Sequence, residues 1–92
     1  MASARARHIL VDTEAQCIEL KKQIENGADF AEVAQANSSC PSRAQGGDLG
    51  TFSPGMMVPE FDQAVFNGKA GDLVGPVQTQ FGYHLIEITE RS

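Results

Sequence analysis

The sequence predicts one domain in which helices pack against a single small β-sheet, of the α+β or α/β class. Short apolar runs with strand-like patterns lie near both ends of the chain, and stretches with helical spacing lie between them. A chain of 92 residues holds one hydrophobic core, so we predict a single domain over residues 1–92. The patterns leave the order of the strands in the sheet open.

The first predicted elements are a strand and a helix. Residues 7–11 form an apolar, β-branched run that is typical of a strand. Thr13 and Gln16 then have the spacing of a capping box, in which side chains bond to the free N–H groups of the first helical turn. A helix is therefore predicted over residues 13–25.

The middle of the chain predicts a second helix, a short helical turn and a strand. Asp29 is a suitable N-cap for a helix that ends at the polar residues 37–39. Residues 40–42 include a proline, which suits the first turn of a further short helix. The glycine-bounded residues 46–52 favour a strand.

The last third predicts one helix and two strands. Residues 59–66 have apolar side chains at helical spacing after a proline. Residues 74–79 favour an edge strand, because Pro76 has no N–H to give to a neighbour. Alternation from residue 82 onward predicts a final strand with one uniformly apolar face. The predicted order is strand, three helices, strand, helix and two strands.

Charge and hydropathy exclude several classes of function. The net charge is −5, and the seven basic residues are scattered, so nucleic acid and anionic membranes are not expected as partners. No apolar run approaches the roughly 18 to 20 residues that span a bilayer, and the N-terminus lacks the apolar core of a signal peptide. We therefore expect a cytoplasmic protein.

The cysteines favour reduced thiols over a disulfide scaffold or a metal site. Cys17 and Cys40 lie in no metal-binding spacing, so no metal is expected. Cys40 precedes a proline at a predicted helix start, where its thiol is either a small buried group or a reactive one. A pairing of Cys40 with His84 for hydrolysis has no local signature to support it, and a redox pair with Cys17 conflicts with the apolar position of Cys17.

Both histidines lie on predicted apolar strand faces. His8 shares its face with Leu10, and His84 shares its face with two isoleucines. Each is either a buried core residue or part of a site. If their strands are neighbours, the two imidazoles can bond to each other and fix their tautomers.

An apolar set surrounds the start of the fourth helix. Two methionines precede Phe61, two further apolar side chains lie upstream of them, and one phenylalanine lies downstream. Core packing explains any one of them, but together they can form a pocket for a compact ring. The members are Leu49, Phe52, Met56, Met57, Phe61 and Phe81.

Several ordered blocks resemble the parvulin-type peptidyl-prolyl cis/trans isomerases, most closely the small single-domain bacterial parvulins of the PpiC type. The likeness covers residues 7–90. It implies an α+β, FKBP-like fold with a four-stranded antiparallel sheet surrounded by four helices. The matching blocks are residues 7–11, 27–30, 40–42, 46–50, 52–61, 75–77 and 78–84.

The resemblance also implies an active site. His8 and His84 would be paired central histidines, with Cys40 beside them and Thr79 in their hydrogen-bond network. The proline pocket would be formed by Leu49, Met57 and Phe61, with Phe52 lining or backing it and Phe81 at its rim.

The implied activity is rotation about X-Pro bonds without covalent chemistry, cofactor or metal, in a protein that assists folding. Its partners would be proline-containing peptides and unfolded protein clients, and the protein would be a monomer. Phosphate-directed relatives carry basic residues after the first strand, whereas residues 11–14 here include Asp12 and Glu14 and no basic residue. We therefore expect a preference for unphosphorylated apolar residues before proline. The alternative is a parvulin-like module that binds proline-containing or unfolded segments without catalysis.

Overall fold

A computed structural model describes residues 2–92 and gives one four-stranded antiparallel sheet with three α-helices and a 3-10 helix. The predicted α+β class and element order are confirmed. The third expected helix, at residues 40–42, is a 3-10 helix, and Met1 lies outside the described residues. The elements are β1 (Ala4–Val11), α1 (Glu14–Glu25), α2 (Phe30–Asn37), the 3-10 helix (Pro41–Gln45), β2 (Asp48–Phe52), α3 (Pro59–Phe66), β3 (Leu73–Thr79) and β4 (Gly82–Arg91).

The sheet places the first and last strands side by side at its centre. The strand order is β2-β1-β4-β3, with β3 at an edge as Pro76 predicts. In the register of β1 and β4, His8 lies opposite Ile86 and Leu10 lies opposite His84. The two histidines are therefore diagonal neighbours on adjacent strands, on the same face of the sheet.

The helix boundaries follow local capping. Thr13 caps α1, and its hydroxyl accepts the Gln16 N–H at 3.2 Å, so the predicted helix begins one residue later than expected. Asp29 caps α2, and its carboxylate accepts the Glu32 N–H at 3.0 Å. Within residues 2–92, no helix is long and apolar enough to cross a membrane.

The predicted strand over residues 46–52 begins two residues too early. Gly46 and Gly47 have φ angles of +68° and +89°, in the left-handed region, and they end the 3-10 helix. A Cβ atom on Gly47 would lie 2.4 Å from the carbonyl oxygen of His8, and the Gly47 carbonyl accepts the His8 N–H at 2.9 Å. Glycine is thus required where this turn approaches β1.

Apolar side chains form a separate cluster on each face of the sheet. One cluster lies between the sheet and helices α1 and α2, and it includes the fully buried Cys17. The other lies between the sheet and α3, on the face that carries both histidines. Cys17 and Cys40 are free thiols, and burial raises the pKa of Cys17. Cys17 is therefore a core residue.

Candidate active site

The two histidines are in direct contact in the interior. Their Nδ1 atoms are 2.9 Å apart. His8 is only 5% exposed and His84 only 4% exposed. The ring centroids are 5.0 Å apart and the ring planes differ by 16°, so the two imidazoles are nearly parallel. One ring therefore donates a hydrogen bond from its Nδ1–H, and the unprotonated Nδ1 of the other ring accepts it.

Thr79 extends this hydrogen-bonded chain. Its Oγ1 atom is 2.8 Å from Nε2 of His84, and it accepts the Phe81 N–H at 3.1 Å. If the Thr79 hydroxyl donates to His84, then His84 donates to His8, whose proton lies on Nε2. The opposite direction exchanges every donor and acceptor. In both cases Nε2 of His8 is buried and has no partner among residues 2–92.

Burial keeps both imidazoles neutral at pH 7. It lowers the pKa of His8 to about 4, and repulsion from a charged His84 lowers it further. Burial also lowers the pKa of His84. A charged imidazole would lose its hydration and gain no carboxylate partner here, so the chain works as neutral donors and acceptors.

This shift predicts a loss of stability in mild acid. The unfolded chain binds a proton at His8 near pH 6.5, whereas the folded chain does so only near pH 4. The free energy of unfolding is therefore unaffected by protonation of His8 above about pH 6.5. It falls by roughly 3 kcal/mol as the pH decreases to about 4, because the unfolded chain binds the proton more readily. Urea unfolding at about pH 7, 5.5 and 4.5 measures it.

The control for this prediction is His8→Asn, which removes the group that titrates. The contribution of His8 to the pH slope should disappear in this variant, while His84, whose pKa burial also lowers, keeps its own part; an unchanged slope would contradict the assignment. Asp48 does not interfere, because its hydrogen bond with Arg5 holds the pKa of that carboxyl below its usual range, beneath this window.

An apolar cavity of about 350 Å³ opens beside the histidines. All the residues proposed from the sequence line it, except Phe52, Thr79 and Met56, and Met56 is instead 68% exposed. The cavity also includes four residues that the sequence did not single out for a site, namely Leu10, Ser39, Pro41 and Val58. The complete lining is His8, Leu10, Ser39, Cys40, Pro41, Leu49, Met57, Val58, Phe61, Phe81 and His84.

Phe61 connects the cavity to the histidine pair. Its ring meets those of His8 and His84 edge to face, at centroid distances of 5.6 and 5.5 Å. Phe52 lies behind Phe61 at 6.2 Å and is buried, so it backs the cavity without lining it. Phe81 is 61% exposed and lies at the cavity mouth.

Cys40 reaches the cavity from a separate element. It is the N-cap residue of the 3-10 helix, is half-buried, and makes no side-chain capping bond. No lysine or arginine is among the described residues that line the cavity. The site thus combines neutral polar groups with an apolar recess.

The sequence of this chain also matches a known protein family. Residues 5–90 match the model of the rotamase family, described as the PPIC-type PPIASE domain. The chain belongs to the PpiC-type peptidyl-prolyl isomerase family. The resemblance to parvulins predicted from the sequence blocks is confirmed.

Curated relatives of this PpiC-type domain include foldases and chaperones. Foldase protein PrsA of Exiguobacterium sibiricum is 46% identical over 89 residues, covering 95% of this chain and 29% of the relative. Chaperone SurA of Aromatoleum aromaticum is 42% identical over 100 residues, covering 99% of this chain and 23% of the relative. The chain thus spans less than a third of the length of these two proteins.

Solved structures of relatives have the same fold. The peptidylprolyl isomerase PrsA of Bacillus anthracis has a TM-score of 0.95 and 41% identity, covering 99% of this chain and 42% of that one. NmPin, the parvulin of Nitrosopumilus maritimus, has a TM-score of 0.87 and 30% identity, covering 97% of each chain. The parvulin fold is therefore established for this PpiC-type domain.

Proposed function

We propose that this PpiC-type domain catalyses cis/trans isomerisation of X-Pro bonds in flexible or unfolded polypeptide segments. The observation that carries the proposal is the neutral, buried chain from Thr79 through His84 to His8, which borders an apolar cavity. A proline ring suits the apolar recess, and the adjoining polar groups are uncharged, as rotation of an amide requires no net proton transfer.

The chemistry needs only preferential binding of the twisted bond. Rotation of an X-Pro bond loses amide conjugation against a barrier of about 18–20 kcal/mol and is slow without a catalyst. The planar amide has a larger charge separation than the twisted amide. An apolar environment therefore disfavours the planar form relative to the twisted one. Each tenfold acceleration needs about 1.4 kcal/mol of such preference for the transition state.

Each part of the site has a proposed role. His8, Cys40, Thr79 and His84 are the catalytic set, in which the buried chain orients the imidazoles and Cys40 is an electrostatic or hydrogen-bonding neighbour, not a nucleophile. Leu49, Met57 and Phe61 hold the proline ring. Phe52 supports that pocket from behind, and Phe81 contacts the substrate at the mouth.

The surroundings favour an uncharged substrate. Asp12 and Glu14 follow β1 and are exposed, so the phosphate of a phosphoserine-proline segment would meet repulsion there. The described cavity lining has no cation to neutralise a phosphate. We therefore propose a preference for unphosphorylated, apolar residues before proline.

Exchange NMR on short peptides tests this proposal. Catalytic amounts of protein are added to Leu-Pro, Ala-Pro, Glu-Pro and phosphoSer-Pro peptides, and the cis/trans exchange rate is measured. We expect the largest acceleration for Leu-Pro and at least about tenfold less for phosphoSer-Pro, which corresponds to about 1.4 kcal/mol. Equal turnover of the Leu-Pro and phosphoSer-Pro peptides would contradict the specificity.

Loss of acceleration with every peptide would instead favour a binding module. The relatives named foldase and chaperone give that alternative its support. Chemical-shift titration distinguishes a catalyst from a binding module. A binding module shifts the peptide signals but does not accelerate exchange between the cis and trans isomers of the peptide. The clients proposed for this domain are unfolded protein segments in either case.

The single-domain organisation over residues 1–92, the monomeric state and the cytoplasmic location stay predictions. A solved relative belongs to a pair of SurA-like chaperones of Campylobacter jejuni, namely PEB4 and the periplasmic protein Cj1289. The cellular compartment of this chain therefore needs its own test. Sedimentation measures the oligomeric state, and cell fractionation of the native protein measures its location.

A further inference from the structure

Ser38 is a buried polar residue that has no role in the site described so far. It is 1% exposed and lies directly after α2, in a stretch that the sequence predicts only as a helix end. Its Oγ atom accepts the Leu10 N–H at 3.0 Å and the Cys40 N–H at 3.3 Å. One hydroxyl thus joins two residues that line the cavity.

The hydroxyl of Ser38 takes the place of a strand partner for β1. The register of β2 with β1 reaches only to Arg7, which lies opposite Asp48. Beyond that point the His8 N–H is bound by the Gly47 carbonyl, and the Leu10 N–H is bound by Ser38. Backbone donors in the interior need such partners, so this half of β1 depends on the connecting segments.

The hydrogen bonds of Ser38 also connect the two halves of the site. The histidines lie on β1 and β4, whereas Cys40 lies on the segment after α2. The Ser39 N–H donates to the Leu10 carbonyl at 2.8 Å, so both backbone groups of Leu10 bind this segment. Leu10 is opposite His84 and two residues from His8 on the same strand.

We propose that Ser38 is a positioning residue for isomerisation, whose hydroxyl holds Cys40 in register with the histidine pair. This inference rests on the proposed isomerase activity. Ser38 is not part of the cavity lining, and the side chains proposed to hold the proline ring lie on β2, just before α3 and on α3, so removal of the hydroxyl should spare them. The chemical step should therefore weaken more than peptide binding does.

Ser38→Ala tests this separation. We expect kcat for a Leu-Pro peptide to fall by about tenfold or more, while the Kd from shift titration stays within about twofold. Alkylation of Cys40 by iodoacetamide should become severalfold faster as its segment loosens. Peptide mapping by mass spectrometry assigns the label, and the fully buried Cys17 is the slow internal reference.

Matched variants separate positioning from stability. Ser38→Thr and Ser38→Val have the same shape, and only threonine keeps the oxygen, so threonine should retain clearly more activity than valine. Asp29→Ala removes the cap at the opposite end of α2 and should lower stability without changing kcat. These comparisons hold even if the alanine variant does not fold.

Two different failures are distinguishable. An active wild type with normal kcat in Ser38→Ala, or equal activity in the Thr and Val variants, would overturn this inference alone. A folded wild type that accelerates no peptide would overturn the proposed function and, with it, the positioning role of Ser38.

Discussion

Replacement of both His8 and His84 by asparagine is expected to lower the isomerisation rate by about 100-fold or more. The buried chain from Thr79 to His8 needs a side chain with two ring nitrogens at its centre, and asparagine has no such pair to bridge the neighbours. Exchange NMR with a Leu-Pro peptide measures the rate. Thr89→Val, which removes a hydrogen bond elsewhere on β4, is the control and should keep full activity.

The single variants make this prediction sharper. Because the imidazoles share one hydrogen bond, the loss of either ring breaks the same chain. Each single replacement should therefore remove nearly as much activity as the double replacement, which a double-mutant cycle measures as strong coupling. Strictly additive single effects, or a double variant close to wild type, would contradict the assignment of one unit.

Cys40 should behave differently from the histidines. As an electrostatic neighbour it is replaceable by another polar group, so Cys40→Asp should keep appreciable activity. A loss equal to that of the double histidine variant would favour an obligatory thiol.

The elements of this fold were predictable because their signals are local. Caps such as Thr13 and Asp29, and the helical spacing in residues 59–66, act within a few residues of the chain. The strand order was not predictable, since alternation tells which residues share a face and not which strand lies alongside. The contact of His8 with His84 could be expected only on the condition that β1 and β4 are neighbours.

The residues that the sequence missed depend on distant partners. Ser38 looks like an ordinary helix end, and only the Leu10 N–H, 28 positions away, explains its burial. Leu10 itself is one apolar residue in a strand, and its position in the cavity follows from its register opposite His84. Thr79 came from the resemblance to parvulins, because a lone threonine before a turn has no local signal.

Phe61→Ala should have the largest effect on stability and activity together. The residue is 3% exposed, and its ring contacts His8, His84 and Phe52. Removing so large a side chain from an interior costs about 3–5 kcal/mol, a large share of the roughly 5–15 kcal/mol that stabilises a typical domain. Urea unfolding measures this loss.

The activity of Phe61→Ala should fall by about 100-fold even under conditions where the variant is folded, for two reasons. The proline ring loses a wall of its cavity, and both imidazoles lose the edge-to-face contact that holds their ring planes. Phe61→Leu refills part of the space and should recover part of the stability, but it lacks the aromatic edge.

Phe66→Ala is the matched control, because it removes the same side chain from the same helix. Phe66 packs against Phe52 at 5.8 Å and beneath Arg91, outside the cavity. We expect this variant to lose stability and keep its isomerase activity. Equal loss of activity in both variants would mean that Phe61 acts only through stability. Full activity in folded Phe61→Ala would place the proline ring elsewhere.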